Sequence, residues 1–362
     1  MLRRKKTQPD APGLPERIRA TGCRRIAVVG LHPGAGCRTV VQSIAAELHR
    51  LEAPVGVTRA PRPVLDTPDD GAVTESLVFL PDGAVVATAA SLAEGDSRLE
   101  TIETIPFEAP LGSVAICRVT GEGPVAVHGP DDTATMREVL DRLQRSAAGL
   151  VLVDGAWERR GFAAPGITDA VILAVGSGYS RSPEHSAAAV RYMIETLTVA
   201  RCDDLESRAW EEASSSGMVL VLDNEGHQIA SVPPDLDNPL GPLRGLFDRG
   251  IGTIAVPDGL HDGLMAPLVR MPVRCSLVVR DPTRLLVSPV YLKAWLKAGG
   301  RVRAFRTARV LAVATNPVNP AGRDAEPAEF RRLVSEAAVT HPVHDVVLES
   351  DGAKRKGWKL WQ

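Results

Sequence analysis

The chain has 362 residues, which at roughly 150 residues per domain predicts about two domains. Hydrophobic residues at 44% and charged residues at 24% match ordinary globular usage and exclude a disordered chain or a fibre. A formal net charge of −2 provides no basic field for nucleic acid, and no apolar run reaches the roughly 18–20 residues of a membrane span, so neither partner is expected.

The basic start, Met1-Leu-Arg-Arg-Lys-Lys6, is followed by Pro- and Gly-rich sequence instead of an apolar segment. It reads as a disordered basic tail over residues 1–23 of a cytoplasmic protein. Arg25–Gly30 is a short apolar run ending in glycine, which predicts a buried strand. Leu31-His-Pro-Gly-Ala-Gly36 is a turn-rich loop, and Thr39–His49 has apolar residues at helical spacing. Strand, glycine loop and helix in that order open a nucleotide-binding α/β domain. Val55–Thr58 predicts the next strand and Ala60–Asp70 a loop. Residues 76–129 turn β-like, with short strands at Leu77–Leu80, Ala84–Thr88 and Val114–Val119. A helix over Asp131–Arg145, strands at Leu150–Asp154 and Thr168–Val175, and a helix over Pro183–Leu197 complete a first domain, 24–200. Cys202–Gly217 is polar, a boundary or a connecting helix. A second α/β region, 201–350, alternates strands at Met218–Leu222, Gly252–Val256, Cys275–Val279, Val310–Ala314 and His344–Leu348 with three helices. The last residues, 351–362, are a basic tail with Trp358 and Trp361. The alternation predicts a mostly parallel sheet with helices on its faces.

The segment Gly30-Leu-His-Pro-Gly-Ala-Gly-Cys-Arg-Thr39 has the form of a phosphate-binding loop in which glycines let backbone amides surround phosphate at a helix N-terminus. Gly30, Gly34, Ala35 and Gly36 would form the cradle. The lysine position is Cys37, and the chain has no lysine between Lys6 and Lys293. Losing that charge-assisted hydrogen bond costs about 1.5–3 kcal/mol, roughly ten- to hundredfold in affinity. Arg38 and Thr39 are substitute ligands, each one residue late. Three readings are open: weakened nucleotide binding, a loop kept only as a turn, or a reactive Cys37 thiolate at the helix N-terminus. Asp154, ending a buried strand, stands where an acid would hold magnesium, or else caps the turn at Gly155. Asp169 reads as a cap, and Ser177–Ser182 as an anion loop or a plain helix cap. The five cysteines form no CxxC pair, and no GxSxG or HExxH occurs.

The order of these motifs resembles a known family. The series runs Gly30-Leu31 with Gly36, Gly56-Val-Thr58, Ala87-Thr88-Ala89, Pro110-Leu-Gly112, Gly129-Pro130, Val153-Asp-Gly-Ala156, Thr168-Asp-Ala-Val-Ile-Leu-Ala174, Glu195-Thr-Leu-Thr198 and Thr315-Asn-Pro-Val-Asn-Pro320. It is similar to the KamB-type proteins, proposed reactivase subunits of a cobalamin- and PLP-dependent lysine aminomutase, over nearly all of 24–348. The resemblance implies a P-loop NTPase-like fold akin to dethiobiotin synthetase, with a small β-rich insertion at about 76–129. It also implies an aminomutase client, a partner ATPase subunit, and an ATP–magnesium site that includes Thr58 and Arg62. Relatives carry Gly-Lys-Thr-Thr where this chain has Gly36-Cys-Arg-Thr39, and an Arg-Asp-Gly-Glu stretch of which only Arg62 remains. Both departures fall where nucleotide and metal would be handled, so weakened or lost nucleotide handling is expected. An ATP-dependent enzyme of the dethiobiotin-synthetase class and a noncatalytic scaffold with a vestigial loop are the alternatives.

Overall fold

The computed structural model describes residues 13–60, 77–107, 112–147, 149–234, 244–271, 275–319, 322 and 324–345. Arg62, the first twelve residues and the C-terminal tail with its two tryptophans lie outside them. The chain is mixed α/β and divides into two compact units: 1–162 with 167–190 and 311–362, and 163–166 with 191–310. Among the described residues no helix is long and apolar enough to cross a membrane.

The first unit holds β1 (Arg25–Gly30), β2 (Val55–Arg59), β3 (Leu77–Leu80), β4 (Val85–Ala89), β5 (Leu99–Ile105), β6 (Val114–Val119), β7 (Gly123–Ala126), β8 (Leu150–Ala156), β9 (Ala170–Gly176), β17 (Val310–Asn316) and β18 (Val343–His344). Nine of them form one sheet in the order β18-β17-β9-β1-β8-β2-β4-β6-β5. β9, β1, β8, β2 and β4 run parallel, as do β17 and β18, while β6 and β5 close one edge antiparallel. The β-rich stretch thus extends the main sheet, and only β3 and β7 pair apart from it.

Strand alternation decides which residues face which helix. Ile26 and Val28 of β1, Val55 and Val57 of β2, and Leu150 and Leu152 of β8 share one apolar cluster with Val40, Val41 and Ile44 of α2 (Cys37–Arg50). On the opposite face, a side chain at Gly56 would touch Leu143 and Ala147 of α4 (Thr133–Ala147), so that glycine lets the helix approach β2 closely. Buried strands of this kind read as continuous apolar runs because both faces are covered.

Two expectations are corrected. Residues 14–20 of the expected tail form α1 (Leu14–Ala20), whose Leu14 and Ile18 are buried in the cluster beneath α2. The expected second region, 201–350, is divided. β17, α9 (Pro327–Ala338) and β18 belong to the first unit, with β17 beside β9 in its sheet. Strand order is set by nonlocal pairing, which a run of apolar residues does not reveal.

The second unit has a five-stranded sheet of β10 (Val219–Asp223), β11 (Gln228–Val232), β12 (Ile251–Ala255), β14 (Ser276–Val279) and β16 (Arg301–Ala304), ordered β11-β10-β12-β14-β16. A two-residue pair, β13 (Leu260–His261) with β15 (Leu285–Leu286), stands apart from it. Val219 and Val221 of β10 face a core containing Met265 of α7 (Asp262–Val269) and Trp295 of α8 (Pro289–Lys297). Leu220 and Leu222 face Trp210 and Ala213 of α6 (Asp204–Ser216). The polar stretch 202–217 is therefore a helix with an apolar stripe. It starts at a reciprocal capping box of Asp203 and Glu206 and stops at Gly217, whose backbone is left-handed.

Candidate functional site at the carboxyl edge of the first sheet

The loop after β1 enters α2 through two glycines in the left-handed region, Gly34 (φ +81°) and Gly36 (φ +99°). The α2 N-terminus has no acidic residue in its first turn and no capping side chain, so no acidic side chain of its own first turn opposes the positive end of its dipole. The loop is packed from within and from the side. Cys37 Sγ donates to the Gly155 carbonyl at 3.4 Å, and a β-carbon on Gly30 would meet that sulfur at 2.6 Å. Asn316, ending β17, lies against Gly36 and would be 3.0 Å from a β-carbon there. His32 contacts the Pro33 carbonyl at 2.6 Å and the Gly176 carbonyl at 3.3 Å, with its ring 5.7 Å from that of Tyr179.

The expected ligands are dispersed. Gly34 and Arg38 are exposed, Thr39 is half-buried and Ala35 is buried. Cys37 gives its thiol hydrogen to a backbone carbonyl at the edge of the sheet. Thr58 is fully buried and donates to the Ala87 carbonyl at 3.0 Å, so its hydroxyl ties β2 to β4. Asp169 is a cap, accepting from the backbone N–H groups of Arg24 and Arg25. In the Ser177–Ser182 loop, Ser177 Oγ donates to the Pro317 carbonyl at 2.7 Å, and Ser182 starts the helix that follows.

Asp154 lies within β8, in register with Val28 of β1, and it has a neighbour that the sequence reading did not assign. Its register partner is Arg59, the last residue of β2, and Arg59 Nε lies 3.7 Å from Asp154 Oδ2. Both side chains belong to the α2 face, in alternation with Val57 and Leu152. Arg59 is 9% exposed and Asp154 3%. Next to them the Gly129 N–H donates to the Arg59 carbonyl at 3.0 Å, and a β-carbon on Gly129 would fall 2.3 Å from that oxygen. Only glycine allows this approach, which carries His128 to the arginine.

His128 is held below the ordinary imidazole range, first by burial and then by the Arg59 charge, with Asp131 opposing. The unfolded chain therefore takes up this proton at a higher pH than the folded one. Stability is full above the ordinary value of 6.5 and falls as pH drops from there through the lowered value. Urea unfolding at pH 7 and pH 5 is expected to show a smaller acid loss in His128→Gln than in wild type. Equal losses would show that His128 does not set the acid response.

The ATP–magnesium pair implied by the resemblance meets two different fits. An anion suits the edge, because a helix N-terminus and a buried guanidinium both lie on the α2 face. Magnesium does not suit Asp154, whose close neighbour is a cation. Magnesium also requires a near-octahedral oxygen set at about 2.0–2.1 Å. Among the described residues, the one cluster with metal-ligand geometry is Asp223, Glu225 and His227, on the β10–β11 turn of the second unit.

No family model, curated protein or solved structure matches the chain.

Proposed function

We propose that this chain is an accessory protein of the reactivase type, on a P-loop NTPase-like fold whose own nucleotide handling is weakened or lost. Its client would be a cobalamin- and PLP-dependent amino-acid aminomutase, served together with a partner ATPase subunit. One observation carries the loss of nucleotide handling: the loop keeps the strand–glycine–helix path, while Cys37 turns its thiol to Gly155 and leaves no lysine for phosphate. The client comes from the motif order that resembles the KamB-type proteins. A damaged cofactor leaves its enzyme only if some state of the complex binds it less tightly, so the differential affinity must come from partner contact or from the partner's ATP.

The test uses an aminomutase inactivated by turnover, the partner ATPase, ATP and fresh adenosylcobalamin. Recovery of activity is expected only when this chain is present, and the chain should be retained on the immobilised aminomutase. Steady-state ATP consumption by the chain alone would favour a dethiobiotin-synthetase-like enzyme instead. Absence of both retention and recovery would overturn the proposal.

A further inference from the structure

We propose that the outer face of α8, in the second unit, is a contact surface for an anionic phospholipid bilayer. The contact is with the bilayer surface and needs no spanning helix. One side of α8 is buried, with Leu292 and Trp295 in the core of the unit. At about 100° per residue, Pro289, Val290, Lys293, Leu296 and Lys297 share an arc of about 120° on the other side. All five are exposed, Val290 at 73% and Leu296 at 45%. The arc thus holds apolar side chains and lysines and no acid. The surrounding sequence is of one sign: residues 282–310 contain seven Lys or Arg and no Asp or Glu. Two acids at its borders are engaged. Asp262 accepts from the Ser288 N–H at 2.6 Å, and Asp281 is buried with Arg280 Nε at 2.8 Å.

Residue type selects the partner. Arginine outnumbers lysine 35 to 7 in this chain, and between Lys6 and Lys354 lysine occurs only at these two positions of α8. Protein interfaces favour arginine and aromatic rings and use little lysine. Exposed aliphatic side chains interleaved with lysines suit a bilayer boundary instead. There the apolar ends enter the acyl edge, while the long lysine stems carry their charges to the headgroups. A second copy of the chain does not fit. Two α8 faces would set lysine against lysine. The acidic helix α6, with Asp204, Glu211 and Glu212, exposes only polar and charged residues to meet Val290 and Leu296. Nucleic acid does not fit either, because the arc offers no aromatic ring for stacking. Trp295 is 2% exposed and donates to the Arg301 carbonyl.

The test is co-sedimentation of the full chain with vesicles of phosphatidylcholine, alone or with about 30% phosphatidylglycerol. Binding is expected to the anionic vesicles only, and it should fall as salt is raised. A lysine near such a surface contributes about fivefold, so Lys293→Gln with Lys297→Gln should weaken binding roughly twentyfold. Val290→Ser with Leu296→Ser should weaken it about tenfold by removing apolar burial. All four side chains are exposed, so both variants should keep native circular dichroism. Both also keep the basic stretch Lys354–Lys359. Wild-type binding that either variant leaves unchanged would overturn the inference, and if neither weakens it the contact lies on that stretch. Equal binding to both kinds of vesicle, or binding to neither, would also overturn it. In the last case, self-association of the wild type that Val290→Ser with Leu296→Ser abolishes would make the face a protein interface.

Discussion

Asp154→Ala is expected to destabilise the first unit by about 3–5 kcal/mol, the range for removing one partner of a buried ion pair. The substitution leaves the Arg59 guanidinium at 9% exposure with its facing carboxylate gone. The cost comes mainly from the stranded charge, because a contact at 3.7 Å lies beyond good hydrogen-bond length. Arg59→Met combined with Asp154→Leu should therefore recover most of the loss, since apolar pairs of similar volume often replace buried ion pairs without penalty. Equilibrium unfolding in urea of the single and double variants measures both effects. A single-variant loss below about 1 kcal/mol would mean that water reaches the pair and screens it.

Trp295→Ala is expected to cost the second unit about 3–5 kcal/mol. The indole is 2% exposed in the core formed with α7 and the sheet, and its Nε1 donates to the Arg301 carbonyl at 3.0 Å. Gly300 lies so close beneath the ring that a β-carbon there would fall 2.2 Å from it. Two comparisons separate packing from hydrogen bonding. Trp295→Phe keeps most of the ring, and the loss of its donor should cost about 1 kcal/mol. Gly300→Ala keeps every polar contact but should destabilise through overpacking, by about 1–3 kcal/mol. A loss in Trp295→Phe as large as in Trp295→Ala would make the Arg301 bond the dominant contribution.

The strand, loop and helix at 25–50 and the strand that begins at Leu150 were legible because their apolar periodicity is strong and local. β5 was not, since Leu99–Ile105 is an edge strand with most of its residues open to solvent, and it lacks an apolar run. α1 hides between Gly13 and Gly22 in sequence that reads as a tail, and it is held by two buried side chains, Leu14 and Ile18. α6 had its signal in Asp203-Asp-Leu-Glu206, a capping box ahead of an apolar stripe. At the site, β8 continues two residues past Asp154, to Ala156, and the neighbour that faces Asp154, Arg59, has no local signal in the sequence. An arginine closing a short strand looks like a solvated surface residue, and its neighbours on β8 and at the Gly129 backbone are distant in sequence. The closeness of Asn316 to Gly36 is equally nonlocal, although Asn316 and its proline turn were already marked as a loop following a strand.

The return of the chain to the first sheet has a consequence for its synthesis. β9 is apolar along its whole length, and its outer neighbour, β17, is separated from it by residues 191–310 of the second unit. At about 5–20 residues per second, the ribosome needs about 6–24 s to make residues 191–310. Until β17 is made, the β9 edge that it covers in the finished sheet has no strand to pair with it from this chain, and an open apolar edge is the feature that invites pairing with other chains. The first unit to begin emerging is therefore the last to be finished.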